Sequence, residues 1–252
     1  MAAAKGGDNK EKRRMQFLSQ SATHRGKVRD MNEDALFARG DAGTWAVADG
    51  MGGHDSGDLA SAMIVSALEA MHLEAEFDDS LGRLCGLIQQ ANQRLVTATE
   101  TRPRHQRPGS TVVALLLQDG EGGVVWAGDS RLYRLRDGVL EQLTRDHSQI
   151  QDLLDQGLVD ERKAELHPLA HVITQAIGFD MPAQLETRRF AVEPGDRFLL
   201  CSDGLNRVVE HGEIRDQLER TPLADRAARL VDLALERGAP DNVTVVCVDC
   251  AP

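Results

Sequence analysis

Two hydrophobic periods alternate along the chain, and the shorter one predicts a protein rich in β-strands. Runs of β-branched and aromatic residues with turn signals between them are typical of strands. The pair Asp137-Gly138 is the clearest of these turn signals, because Asp-Gly between two strands favours a tight hairpin. The predicted strands are 17–23, 35–38, 44–48, 111–117, 123–128, 131–136, 139–143, 185–190, 197–201 and 243–249.

The longer period predicts three amphipathic helices. One apolar stripe runs from Ala60 to Met71, and a second runs from Leu81 to Leu95 with Asp79 or Ser80 as a candidate N-cap. A third helix is expected from Thr221-Pro222 to Gly238. Strands joined by tight turns, with helices inserted in pairs, predict an α+β fold with antiparallel sheets. The polar stretch 147–171 is expected to be a surface insert.

Composition narrows the class of protein. The chain has 252 residues, 41% of them hydrophobic, which is enough for one full core, and we expect a single domain over 17–252. Residues 1–16 carry five basic and two acidic side chains and predict a disordered basic tail.

A net charge of −11 argues against nucleic acid as a partner. No apolar run suits a membrane span or a signal peptide, and four cysteines are too few for a disulfide framework, so we expect a cytoplasmic protein without a membrane partner.

Acidic residues stand at the ends of several predicted strands. Asp49, Asp129 and Asp203 each follow an apolar strand, and Asp241 comes just before the last one. Carboxylates that converge repel one another unless protons or cations neutralise them, and oxygen ligands without His or Cys suit Mg²⁺ or Mn²⁺. Each acid alone is also ordinary turn chemistry, and spacing leaves open whether they converge.

Eight stretches carry a resemblance to a known family and stand in that family's order over about 20–249. They are RDMNED from Arg29, DGMGGHDSGDLAS from Asp49, GSTVVALL from Gly109, GDSRLYRLRDG from Gly128, LTRDHS from Leu143, HPLAHVITQAIG from His167, GDRFLLCSDGL from Gly195 and PDNVTVV from Pro240. With these stretches the chain resembles the metal-dependent Ser/Thr protein phosphatases of type 2C, the PPM family, in their compact bacterial form. The resemblance implies a four-layer α-β-β-α sandwich with two central antiparallel β-sheets.

The resemblance also implies a binuclear Mn²⁺ or Mg²⁺ centre and, as in bacterial relatives, a third, weaker ion. By this resemblance, Asp49 bridges two ions, Asp203 and Asp241 complete the site of the first ion, and the Gly50 carbonyl binds the second. Glu33 and Asp34 orient the waters of the second ion, and Asp129 with Asp203 holds the third ion. Arg29 binds the substrate phosphate.

The implied activity is hydrolysis of phosphoserine and phosphothreonine in phosphorylated proteins, by a water that the metals activate. The enzyme would act as a monomer and oppose a bacterial Ser/Thr kinase. Met51 stands where eukaryotic relatives place a histidine, so a metal-bound water or His54 could supply the leaving-group proton; His54 could instead shape the substrate site. The alternative is a catalytically silent module that binds phosphoproteins, and the intact Asp49, Asp203 and Asp241 argue against it.

Three other motifs have simpler interpretations. Cys201 and Arg207 fit the Cys-x5-Arg pattern of cysteine-dependent phosphatases, but Cys201 continues an apolar strand and Asp203 would repel phosphate, so we expect a core cysteine. Cys247 and Cys250 are expected to pack on opposite faces of a strand. The resemblance places three histidines in a flap near the cleft, namely His147, His167 and His171.

Overall fold

Two antiparallel sheets form the centre of the computed structural model, which describes residues 15–52, 57–160, 164 and 167–251. All ten predicted strands are present, and the pair Gly109–Ser110 is an additional one. The strands are β1 (Gln16–His24), β2 (Asp34–Arg39), β3 (Thr44–Met51), β4 (Gly109–Ser110), β5 (Val112–Gln118), β6 (Glu121–Ala127), β7 (Arg131–Arg136), β8 (Val139–Gln142), β9 (Glu186–Ala191), β10 (Arg197–Cys201) and β11 (Val243–Ala251).

Strand order differs from chain order in both sheets. One sheet runs β1-β11-β10-β7-β8, and the other runs β2-β3-β5-β6-β9 with β4 added to β3. The described pairs are antiparallel throughout. Asp137 and Gly138 join β7 to β8 with φ of 50° and 75°, the conformation of a type I′ hairpin, as the Asp-Gly signal predicts.

Six α-helices and one 3₁₀ turn (Arg104–Gln106) accompany the sheets in the described ranges. They are α1 (Gly57–Leu68), α2 (Phe77–Thr99), α3 (Gln149–Asp155), α4 (Asp203–Asn206), α5 (His211–Arg220) and α6 (Leu223–Glu236). The three predicted helices are α1, α2 and α6. The predicted cap of α2 is wrong, because the helix begins after Glu76 and the Ser80 hydroxyl instead accepts the Glu74 N–H at 2.8 Å.

Three apolar clusters divide the molecule into layers. Ile64 of α1 and Leu84 of α2 pack on the outer face of the β2–β9 sheet. Leu230 of α6 packs on the other sheet, beside Leu199. A third cluster lies between the two sheets and includes the fully buried Trp45. The predicted four-layer α-β-β-α sandwich is therefore confirmed.

Burial on both faces explains why the central strands show apolar runs instead of alternation. Along β11, Val245 and Cys247 face the helices, whereas Val246 and Cys250 face the opposite sheet. The two cysteines thus lie on opposite faces, as predicted, and both are free thiols. Among the helices described here, none has both the length and the apolar character needed to cross a bilayer.

Candidate active site

Strand ends that are distant in sequence meet at one end of the sandwich. The start of β2 pairs with the end of β3, so Asp34 lies directly opposite Asp49. The Asp49 carbonyl accepts the Thr111 N–H at 2.9 Å, and the Asp49 N–H donates to the Thr111 hydroxyl at 3.2 Å. Because β11 lies between β1 and β10, Asp241 at its start comes close to Asp203 at the end of β10.

The carboxylates at this end are close enough to oppose one another's ionisation. Burial raises the pKa of Asp49 well above its usual value, and neighbouring carboxylates raise it further. These neighbours are Asp34, Asp203, Asp129 and Asp241. The convergence that spacing left open is therefore present in the fold.

Asn242 holds the loop that carries Arg29 and Glu33 against the start of β11. Its Oδ1 accepts the Glu33 N–H at 2.8 Å, and its Nδ2 donates to the carbonyls of Arg25 and Met31, each at 2.9 Å. Sequence reasoning gave Asn242 no role. Its only signal was its place in PDNVTVV beside Asp241, because its partners lie more than 200 residues away in the chain.

Two close backbone approaches at the site require glycine. A Cβ at Gly50 would collide with the carbonyl oxygens of Glu33 and Gly57, and one at Gly204 would collide with the Asn242 carbonyl. The first approach holds the Gly50 backbone against the Glu33 loop, where the Gly50 N–H donates to the Glu33 carbonyl at 3.2 Å. The second brings Asp203 and its helix against the start of β11.

Glu33 and Asp34 are each held by a hydrogen bond from another element. The Glu33 Oε1 accepts the N–H of Gly57, in the first turn of α1, at 3.1 Å, and burial raises the pKa of Glu33. The Ser202 hydroxyl donates to Asp34 Oδ2 at 2.8 Å. Burial nevertheless raises the pKa of Asp34 to about 6, which the hydrogen bonds only partly oppose.

Asp129 and Asp203 face a shared cavity of about 130 Å³. Burial raises the pKa of Asp129 to about 6, and it raises the pKa of Asp203 well above its usual value. The positive charge of Arg207 opposes both shifts. Arg207 forms an ion pair with Asp203, and its Nη1 lies 3.6 Å from Asp241 Oδ2.

Arg29 contacts the same carboxylate oxygen from the other loop. Its Nη2 donates to Asp241 Oδ2 at 2.7 Å, while about half of its side chain, 53%, stays exposed to solvent. The guanidiniums of Arg29 and Arg207 therefore both meet Asp241. Across the described part of the chain, no three acidic, histidine or cysteine side chains are arranged as a ready-made metal coordination shell. Asp203 is held by its ion pair with Arg207, and Asp241 is held by its ion pair with Arg29.

The chemistry of the cluster nevertheless fits divalent cations. Asp34, Asp129 and Asp203 each keep one buried oxygen, Oδ1, that has no hydrogen-bond partner among the described residues. Leaving a buried carboxylate oxygen unpaired is costly, and a hard cation would satisfy it. An all-oxygen donor set of this kind suits Mn²⁺ or Mg²⁺ and does not suit zinc.

The predicted histidines have different fates. His54 lies outside the described residues. His147 is buried: its Nδ1 accepts the Gly128 N–H at 3.1 Å and its ring stacks on Trp126, so placing it in a flap was wrong, and it supports the turn before Asp129. His171 does line the cavity that Asp129 and Asp203 face, while His167 accepts a local N–H from Leu169.

Cys201 is a core residue, as expected. Its side chain is fully buried within β10, and burial raises the pKa of its thiol to about 12. A thiolate nucleophile is thus strongly disfavoured there. The arginine of the Cys-x5-Arg pattern, Arg207, pairs with Asp203 and does not form a phosphate loop.

Comparison with known proteins gives one consistent family. Residues 21–242 match the family model described as protein phosphatase 2C. The chain is 39% identical over 226 residues to the serine/threonine protein phosphatase PstP of Mycobacterium tuberculosis, an alignment that covers 89% of this chain. This chain spans only 43% of the length of that relative.

Solved structures show the same architecture at higher coverage. PppA, a key regulatory component of T6SS in Pseudomonas aeruginosa, is 42% identical with a TM-score of 0.86, covering 93% of this chain and 98% of its own. The catalytic domain of PstP in complex with two manganese ions is 36% identical with a TM-score of 0.84, covering 94% of this chain and 100% of its own.

Proposed function

Because this chain belongs to the protein phosphatase 2C family, we propose that it hydrolyses phosphoserine and phosphothreonine in proteins with a binuclear Mn²⁺ or Mg²⁺ centre. The observation that supports this most is the convergence of carboxylates from separate strands beside an arginine that is open to solvent. These residues are Asp34, Asp49, Asp129, Asp203, Asp241 and Arg29. The enzyme acts as a monomer in the cytoplasm and opposes a Ser/Thr kinase of the same cell.

Four groups would hold the two ions. Asp49 would contribute to both sites, Asp203 and Asp241 would complete the first, and the Gly50 carbonyl would serve the second. When bound, the ions activate water for in-line attack on phosphorus and neutralise charge on the phosphate oxygens. The unpaired Oδ1 of Asp203 and the close packing of Gly50 on the Glu33 loop support these assignments.

Arg29 grips the substrate phosphate. Its planar guanidinium is suited to bidentate contact with phosphate oxygens, and its half-exposed position beside Asp241 lets it turn toward an incoming ligand. Glu33 and Asp34, each kept in place by its hydrogen bond from Gly57 or Ser202, would orient water at the second site. The proton for the departing serine or threonine comes from His54 or from a water.

A groove beside the site offers room for the substrate polypeptide. It has a volume of about 450 Å³ and is lined in part by Met51, Arg104, Gln175 and Phe179. Met51 directly follows Gly50, so residues that flank the phosphorylated side chain would lie in this groove. The likeness to PppA makes a protein of the T6SS machinery one candidate substrate class.

The decisive experiment is release of phosphate from a phosphothreonine peptide with Mn²⁺ and then with excess EDTA. We expect Mn²⁺-dependent hydrolysis that EDTA abolishes and that falls by orders of magnitude in Asp203→Asn and Asp241→Asn. Asp216→Asn, on the exposed face of α5, is the matched control and keeps full activity. Near-wild-type turnover in the two site variants contradicts the proposal, and a folded, metal-binding but inactive wild type supports the silent phosphoprotein-binding module instead.

A further inference from the structure

Arg207 lies one helical turn after Asp203 and faces the cavity of about 130 Å³ beside the metal-binding cluster. Its backbone N–H donates to the Asp203 carbonyl at 3.0 Å, which fixes the turn, and its guanidinium pairs with the Asp203 carboxylate. Three-quarters of the side chain is buried. The short helix therefore holds a permanent positive charge against this carboxylate.

The cavity beside Arg207 is lined by three carboxylates, which differ in whether they have a hydrogen-bond partner. Asp146 is already paired, because Arg131 donates to both of its oxygens at 2.7–3.0 Å. Asp129 and Asp203 remain, each only 6% exposed and each with an Oδ1 that has no hydrogen-bond partner in the described ranges. Two described arginines line the cavity: Arg131 pairs with Asp146, whereas Arg207 pairs with Asp203 and lies 3.6 Å from Asp241 Oδ2.

We propose that the Arg207 guanidinium, by holding one oxygen of Asp203, excludes a third metal ion from the space beside Asp129 and Asp203, so that this chain binds two divalent ions and not three. The proposal rests on the proposed function in one respect, the two-ion centre at Asp49, Asp203 and Asp241. Arginine stays protonated at every pH at which the protein folds, so a divalent ion that bound the Asp203 oxygen held by Arg207 would have to displace the guanidinium against charge repulsion. Asp203 divides its oxygens accordingly: one pairs with Arg207 and Oδ1 stays free for the first ion.

The test counts bound Mn²⁺ on the full chain, with free Mn²⁺ measured by its EPR signal during titration into the millimolar range. We expect two equivalents on the wild type and on Arg207→Lys, which keeps the charge. Arg207→Gln gains a third, weaker equivalent. Arg207→Asp, which adds an oxygen ligand, binds the third ion at least about tenfold more tightly than Arg207→Gln. Arg104→Gln, in the neighbouring groove, is the control and binds two.

Two results would overturn the proposal: a third equivalent on the wild type with the same Kd as on Arg207→Gln, or only two equivalents on folded Arg207→Asp. Circular dichroism and thermal melts establish that each variant is folded. If Arg207→Gln or Arg207→Asp does not fold, the milder Arg207→Lys variant still allows the ion count to be compared with the wild type. The count needs no turnover. A wild type that holds two ions without hydrolysing the peptide contradicts the proposed function alone. An active wild type whose third ion binds as tightly as on Arg207→Gln contradicts the role of Arg207 alone.

Discussion

Asp34 and Asp49 face each other directly across the β2–β3 pair, which places two carboxylates on neighbouring strands at the centre of the site. Directly opposed residues in an antiparallel pair have Cβ atoms roughly 5 Å apart, and like charges there are destabilising. Burial, with the nearby charges of Asp241 and Glu33, raises the pKa of Asp34 to about 6. Burial and the charge of Asp34 raise the pKa of Asp49 well above its usual value. Without cations, the site therefore strains the fold at neutral pH.

This strain predicts that the metal-free protein becomes more stable on mild acidification. Asp34 and Asp129 have a pKa of about 6 in the folded state against 3.8 for the ordinary group, so below pH 6 the folded chain holds more protons than the unfolded chain. Buried His147 has a lowered pKa and therefore opposes this gain in stability on acidification, but it is one group against two carboxylates. With EDTA present, we expect the Tm to rise between pH 7.5 and pH 5.5.

The same protons compete with metal. Mn²⁺ binds the ionised carboxylates, so the rise in Tm on adding Mn²⁺ should be larger at pH 7.5 than at pH 5.5. Differential scanning fluorimetry measures both trends on one plate, with Asp203→Asn as the variant that should lose most of the metal-induced shift. A metal-free Tm that falls steadily from pH 7.5 to 5.5 would contradict this account of the cluster.

Asn242 should control activity without contacting substrate. Asn242→Ala removes three hydrogen bonds that hold the loop of Arg29 and Glu33, and supporting residues of this kind typically cost 10–100-fold. We expect kcat/KM for a phosphothreonine peptide to fall by at least about tenfold. Asn242→Asp keeps the acceptor for the Glu33 N–H and should lose less. Equal kcat/KM in wild type and Asn242→Ala would show that the loop is held by other contacts.

Far from the site, Arg226 should be the most sensitive charged position for stability. It is 1% exposed, and its guanidinium donates to Asp249 at 2.5 and 3.2 Å and to the Thr221 carbonyl at 3.2 Å. Arg226→Ala leaves a carboxylate without its buried partner, which should cost about 3–5 kcal/mol in the free energy of unfolding. Urea titration measures it. The exposed Arg229→Ala on the same helix should change stability by less than about 0.5 kcal/mol.

Cys201 should be dispensable for catalysis. Cys201→Ser places a hydroxyl near the Asn206 side-chain oxygen, which the thiol already approaches at 3.7 Å, so the fold should survive. We expect turnover within about threefold of wild type and no inactivation of the native enzyme by iodoacetamide, because the thiol is fully buried with a pKa of about 12. Loss of turnover in a normally folded Cys201→Ser would restore the cysteine mechanism.

The local pattern of the sequence was enough to predict the strands and the three long helices, whereas the order of layers was implied by the resemblance to the family. Apolar runs and stripes are set by which faces are buried, and burial on both faces of β11 is visible in the sequence as the apolar run 245–248. Where the signal was weak, prediction failed. Helix α5 has a strongly polar sequence, β4 is two residues long, and the Ser80 hydroxyl satisfies the Glu74 N–H instead of capping α2.

The sequence by itself also determined the family and the acidic candidates, because their motifs are contiguous. Only the tertiary structure decided that these acids converge, since strand order, with β11 between β1 and β10, is not written in any local pattern. The same holds for Asn242, His147 and Arg207. Asn242 meets Glu33 across 209 residues of sequence, and His147 meets Gly128 across 19. Arg207 pairs locally with Asp203, but only the fold brings it within 3.6 Å of Asp241. Such contacts depend on the packing of the whole chain.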